Sequence, residues 1–450
     1  MSLALIAAAY GTGGAVVAHG VGSREDLPLP FIVAVAGAAT TLVLSFVALA
    51  LLWPTPRLDG AHAGRAVPPP VASLLDSRAT RAVLALLGAL TSAYVLVALL
   101  FGKDDASNPV PFVLYVLLWV GIVPLSVLFG PVWRRLNPVR TLHGVVLRAA
   151  RLDPREGALS LPEGLGYWPA AMGLLAFTWL ELVAPDSATL PVLRLAIVVY
   201  VSISLLAAFV FGSRWFDRGD PFEVWSGLFG RLSPLGRRAD GRVVVRSPLA
   251  GLDALAPAPG LAATVAVMLG TTAYDGASSS LAWFAFVQSS RSPALVQTLG
   301  LLAVVAVVGL LFAAAAALAG RVAGADPRQM PRAFAHSVVP IALGYVVAHY
   351  WSLLVLEGQH AVLNLSDPLG TGADLFGVGD REPGTALLQP TLVASVQVVA
   401  IVVGHLLGVV LAHDRAVRLF DRRRALVGQL PLLVLMVGYT CGGLFLLFSG

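Results

Sequence analysis

Cysteine and lysine are almost missing from this chain. Cys441 is the one cysteine and Lys103 the one lysine among 450 residues. A single thiol excludes an intrachain disulfide and any Cys-based metal site. Charge is scarce too: Asp, Glu, Lys and Arg make up 12% of the residues, against roughly a quarter in soluble proteins. A Walker A loop, a dinucleotide-binding glycine fingerprint, a Gly-x-Ser-x-Gly elbow and a His-Glu-x-x-His pair are all absent. A nucleotide cofactor and ATP-driven pumping within the chain are therefore not expected.

Apolar residues fill the space. They make up 57% of the chain, the mean hydropathy is +0.83, and they recur in runs of about 20, the length of a membrane-crossing helix. The predicted fold is an all-α, polytopic transmembrane bundle. Its candidate spans lie at roughly 2–18, 31–53, 82–101, 110–133, 168–185, 192–212, 261–289, 294–320, 333–356, 390–412 and 430–448. That makes about 11 spans, or 10 if residues 1–18 are a cleaved signal. Residues 19–450 read as one transmembrane domain.

Charge sorts the loops between spans. Of the 30 Lys and Arg residues, 25 fall in 54–81, 134–166, 213–258, 321–332 and 414–429, which are alternate loops. Cytoplasmic loops of bacterial membrane proteins carry this excess. The expected location is thus the bacterial cytoplasmic membrane, with Arg-rich loops inside and the C-terminus outside. The sequence pI near 9.6 follows from topology and lipid-headgroup contact, not from nucleic-acid binding.

The first span has two readings, a retained helix or a signal ending at Val16-Val17-Ala18. Cleavage there would expose His19, whose α-amine and imidazole suit copper. In 261–289 the apolar run is interrupted at Tyr274-Asp275-Gly276-Ala277-Ser278-Ser279-Ser280. The charge bias favours one crossing, with Asp275 at its outer edge or in a helix break.

The chain also repeats itself. Phe129-Gly130-Pro131-Val132-Trp133 leads to Asn137-Pro138, Gly144 and Arg148; Phe211-Gly212-Ser213-Arg214-Trp215 leads to Asp220-Pro221, Gly227 and Arg231. Two duplicated hairpins, within 82–151 and 168–232, are each expected to precede an interfacial helix. Asn137 and Asp220 are its N-caps, with Glu223 completing a capping box. Phe222, Trp225, Phe229 and Leu232 form an apolar stripe for the membrane surface. These helices read either as a substrate gate or as a structural belt.

Topology gathers His19, Glu25, Asp26, Glu181, Asp275, His349, Glu357, His360, Asp367 and Asp374 at or just beneath the outer face. Ionisable residues at membrane depth are functional candidates by default. His19, Asp26, His349, His360 and Asp367 have the donor types for a divalent transition metal, zinc, manganese or copper. Asp275 or Glu357 would orient an attacking water. The inner half holds His336, His405, His413 and Asp414. Haem is not expected, since His336 and His349 are turned through about 140° on an ideal helix. Leu411-Ala412-His413-Asp414-Arg415 reads as a helix end, and His62 and His143 as surface residues.

Several segments together resemble a known family. They are Ala18-His19-Gly20 through Arg24 to Asp26-Leu27-Pro28, Tyr274-Asp275-Gly276, Ala348-His349-Tyr350, Gly358-Gln359, Ser366-Asp367-Pro368, Gly404-His405 and Leu411-Ala412-His413-Asp414-Arg415. They resemble the polytopic actinobacterial membrane proteins named fenitrothion hydrolase. The resemblance implies hydrolysis of an organophosphate phosphotriester by a membrane enzyme, with partner membrane subunits, and supplies no catalytic residues. The alternative is a transporter or metal-handling protein acting on a small-molecule or metal substrate. Its relay points would be Glu181, Asp275 and His405.

Overall fold

The structure is a computed structural model that describes residues 26–421 and 423–448. The candidate span 2–18, His19 and Glu25 lie outside these residues.

In chain order the helices are α1 (Phe31–Leu52), α2 (Pro69–Asp76), α3 (Arg78–Phe101), α4 (Pro109–Phe129), α5 (Trp133–Leu136), α6 (Pro138–Ala149), α7 (Trp168–Leu182), α8 (Leu190–Phe211), α9 (Arg214–Arg218) and α10 (Pro221–Gly230). They continue as α11 (Pro248–Asp253), α12 (Leu261–Ser278), α13 (Leu281–Gln288), α14 (Pro293–Ala323), α15 (Met330–Asn364), α16 (Pro390–Leu419) and α17 (Ala425–Leu447). Many begin with proline in the first turn, where its missing N–H costs nothing and its fixed φ suits the helix.

Eight of them, α1, α3, α4, α8, α14, α15, α16 and α17, are long and apolar enough to cross a membrane. Their outward faces expose large apolar side chains such as Ile32, Leu51, Leu195, Leu310 and Val434. Water would penalise that arrangement and lipid does not. The chain is an all-α multi-pass membrane protein. Two stretches read as spans fold as shorter pieces. The 15 residues of α7 reach about 22 Å, less than a hydrocarbon core of about 30 Å. The stretch 261–289 divides into α12 and α13.

The chain forms two compact units. The first comprises residues 65–245 and 353–385 and contains the duplication. Both copies turn at a glycine with positive φ, Gly130 at 85° and Gly212 at 71°. A short helix follows in each, and then an N-capped one. Asn137 Oδ1 accepts the N–H groups of Val139 and Arg140, and Asp220 Oδ1 accepts that of Glu223. The copies interlock. Arg140 donates through Nε and Nη2 to the two oxygens of Glu223, each at 2.7 Å, and Asn137 Nδ2 donates to Oε1 at 2.9 Å. Glu223 is thus turned towards the other copy, and the reciprocal half of the expected capping box does not form.

The expected membrane-surface stripe is also corrected. Phe222, Trp225, Phe229 and Leu232 are all buried in protein. Trp225 stacks on Trp119 with ring centroids 3.9 Å apart and donates its Nε1–H to the Trp119 carbonyl. Trp119 lies in a π-helical stretch of α4, Val113–Gly121. His143, read as a surface residue, is buried between Phe209 and Phe216; His62 is exposed as expected. A small antiparallel sheet in the order β1-β3-β2 completes the unit. It pairs β1 (Arg65–Ala66) and β2 (Leu235–Arg237) with β3 (Val243–Val245).

The second unit comprises 26–64, 246–352 and 386–448. Here α14 packs along α12 and α17, and α16 along α1 and α17. Close approach rests on small residues. At Gly443 an added Cβ would fall on the Tyr345 hydroxyl, and at Gly404 it would strike the Pro340 carbonyl. Helix α15 contributes 330–352 to this unit and 353–364 to the other.

Candidate functional site

Helix α12 stays helical through Asp275 to Ser278, so the break anticipated at Asp275 comes a turn later. Three serines make that break tolerable. The hydroxyls of Ser278, Ser279 and Ser280 donate to the carbonyls of Asp275, Gly276 and Ala277. Carbonyls at a helix end need such partners where water is scarce, and that of Ala277 also accepts the Ser280 N–H.

One helical turn before the break, Asp275 meets α15. His349 Nε2 and the Tyr350 hydroxyl each lie 2.9 Å from Asp275 Oδ2. All three residues are buried, at 6%, 4% and 2% exposure for Asp275, His349 and Tyr350. The two rings stand nearly perpendicular with centroids 4.8 Å apart. Two donors on one oxygen suit an ionised carboxylate. Asp275 thus orients the imidazole through Nε2. Chemically this is a carboxylate-oriented base. Asp275 and His349 were both legible as candidates; Tyr350 was missed, although it adjoins His349 in the sequence.

The remaining candidates fall elsewhere. In the first unit, Glu357 and His360 pair across one turn of α15, with Oε2 and Nδ1 3.0 Å apart. Glu357 is buried, while a quarter of the His360 side chain is exposed. Glu181 is buried on α7. Asp367 is spent on loop structure, accepting the N–H groups of Thr371 and Gly372. Burial raises its carboxyl, but these donors together hold it below the usual range. Asp374 is held low mainly by the Ser366 hydroxyl, then by the N–H groups of Val378 and Gly379. In the second unit, Asp26 is half-buried before α1. His405 is buried on α16, its Nδ1 2.9 Å from the Ile401 carbonyl and its ring 6.3 Å from that of Tyr345. Among the described residues no group of three or more His, Cys, Asp or Glu is arranged to hold a metal ion.

A second polar centre was not anticipated. Residues 411–415 do not end a helix: α16 continues to Leu419, and His413, Asp414 and Arg415 are buried. Asp414 accepts from Trp53 Nε1, the N–H groups of Arg57 and Leu58, and Arg418 Nη2. Asp253 accepts from Gly60 N–H, Arg415 and Arg418. His413 faces Gln429 Oε1 through Nδ1 and the Trp53 carbonyl through Nε2, both at 2.9 Å. The Gln429 amide is fixed by its Nε2–H bond to Ala425. Both ring nitrogens therefore face acceptors. The signal was available in the sequence: an acid four residues before an arginine, Asp414 and Arg418, continues a helix as readily as cations end one.

Comparison with known protein families, curated proteins and solved structures gives no match.

Proposed function

We propose that this is a protein of the bacterial cytoplasmic membrane, Arg-rich loops inside, whose working centre is the Asp275–His349–Tyr350 set. It acts there as a general base on a lipid-soluble substrate. The observation that carries the reading is the buried contact between His349 Nε2 and Asp275 Oδ2. An acid and an imidazole held together by two apolar helices are costly unless they work. The resemblance to fenitrothion hydrolases nominates the substrate class, an uncharged phosphotriester that partitions into lipid. The His349 imidazole would take a proton from water as the water oxygen bonds to phosphorus. The bond from phosphorus to the aryl oxygen then breaks and nitrophenolate leaves. Asp275 stabilises the imidazolium that forms.

Purified protein is expected to release nitrophenol from fenitrothion. Asp275→Asn and His349→Gln are each expected to slow it by roughly 10²–10⁴-fold. Undiminished turnover in both folded variants would sink the assignment. Elemental analysis of the same preparation tests whether zinc, manganese or copper accompanies it.

A second reading, proton-coupled transport, is favoured by the polar groups that continue along the second unit. Tyr345 lies one turn from His349, and His405 faces Tyr345. Proton flux in proteoliposomes that Asp275→Asn and His405→Ala abolish, without hydrolysis by the wild type, selects this reading. Glu181→Gln tests the corresponding relay point in the first unit.

A further inference from the structure

The two copies of the repeat end in different environments. Helix α10 is enclosed by protein, whereas α6 keeps a free face. Successive residues of a helix turn by about 100°, which divides α6 into three stripes. Val139, His143 and Leu147 are buried against the unit, and Leu142, Val145 and Val146 point outward with 48%, 56% and 43% exposure. Arg140, Thr141 and Arg148 form the polar stripe between them, with Gly144 buried among them. Apolar surface towards both protein and solvent, with one polar flank, is the pattern of a helix lying in a membrane interface.

The cations on and beside this helix differ in how they are engaged. Arg140 is neutralised by Glu223 and Asp217, and Arg134 pairs with Asp217. Arg148 and Arg151 make no ion pair and no side-chain hydrogen bond among the described residues. The Arg148 guanidinium folds over Gly144, where an added Cβ would stand 3.1 Å from its Nη1. The nearby acid Asp153 is occupied in capping the Arg155 N–H. Arg151 is the more telling case. Leu152 N–H bonds the Leu147 carbonyl and Arg151 N–H that of Arg148, the helix-ending motif whose left-handed residue is ordinarily glycine. Arg151 occupies that position with φ 60°. An arginine kept where glycine fits better, beside a second uncompensated arginine, is an outlier of the kind that marks a site.

We propose that Arg148 and Arg151 form a seat for the phosphate of an anionic phospholipid, with Leu142, Val145 and Val146 against its acyl chains. The inference is independent of the acid–base reading. Each arginine should contribute about fivefold to the preference for anionic lipid, less at high salt.

The test uses the full-length protein in nanodiscs of phosphatidylcholine, with or without phosphatidylglycerol, read by thermal unfolding. Phosphatidylglycerol is expected to raise the wild-type Tm in a salt-sensitive way. Arg151→Gly should unfold no earlier than wild type in pure phosphatidylcholine, since glycine suits the backbone, yet lose part of the phosphatidylglycerol effect. Arg148→Gln/Arg151→Gly should lose most of it. Arg242→Gln, at an exposed arginine outside α6, should keep all of it. The proposal is overturned if the wild type shows no shift, if the double variant retains it, or if Arg242→Gln loses as much.

Discussion

Asp414 shows what one carboxylate can organise in an apolar chain. Its two oxygens receive an indole N–H, two backbone N–H groups and a guanidinium, and His413 and Arg418 add contacts to the Trp53 and Leu58 carbonyls, so residues 53–58 are tied to α16. A buried carboxylate is tolerable only when its lone pairs are filled in this way. Asp414→Asn keeps the shape but turns part of the acceptor surface into donors facing donors. The charge opposite Arg418 is lost as well. We expect a loss of about 3–5 kcal/mol, seen as a lower unfolding temperature in detergent. A variant as stable as wild type would show that the loop is held by other contacts. Asp275 joins helix to helix, receiving the His349 imidazole and the Tyr350 hydroxyl on one oxygen.

At the scale of elements, the joint between the duplicated copies carries a pH dependence. Burial pushes the Glu223 carboxyl up to about 7 from an ordinary 4.5, although Arg140 pulls the other way. Between these values the folded protein holds more protons than the unfolded chain. The contribution to stability is therefore complete below about 4.5 and is lost as pH rises through about 7. Unfolding temperature is expected to fall by roughly 5 °C across that window. Glu223→Gln, which still accepts from Asn137 and Arg140, should flatten the slope; an unchanged slope in this variant places the titration elsewhere. The duplication was legible because its markers act locally: Gly130 and Gly212 turn the chain, and Asn137 and Asp220 cap the next helix whatever surrounds them. The fate of α10 was not legible. An apolar stripe has the same periodicity against lipid as against protein, and Trp119, the partner of Trp225, lies over a hundred residues away. Asp275 and His349 could be suspected singly, but joining residues 74 apart needs the tertiary fold.

For the whole molecule, the helices supply the crossings, and the proposed orientation rests on the arginines. Eight long apolar helices fit either orientation, since hydrocarbon does not distinguish the two ends of a bundle. The bias in Lys and Arg does, because a cation in a short loop is retained on the cytoplasmic side as its flanking helices insert. The chain's poverty in cysteine makes this easy to test. Cys441 is the only native thiol, so Cys441→Ala gives a thiol-free background in which single cysteines report their side. Ser290→Cys and Asp380→Cys lie in arginine-poor loops and should react with a membrane-impermeant maleimide in intact cells. Arg155→Cys and Arg328→Cys lie in arginine-rich loops and should react only after the membrane is opened. The inverse pattern would turn the molecule over and put the Asp414 network, not Asp275 and His349, towards the outside. A mixed pattern would mean that α7 or α12, the two short pieces, does not cross as the alternation of charge requires.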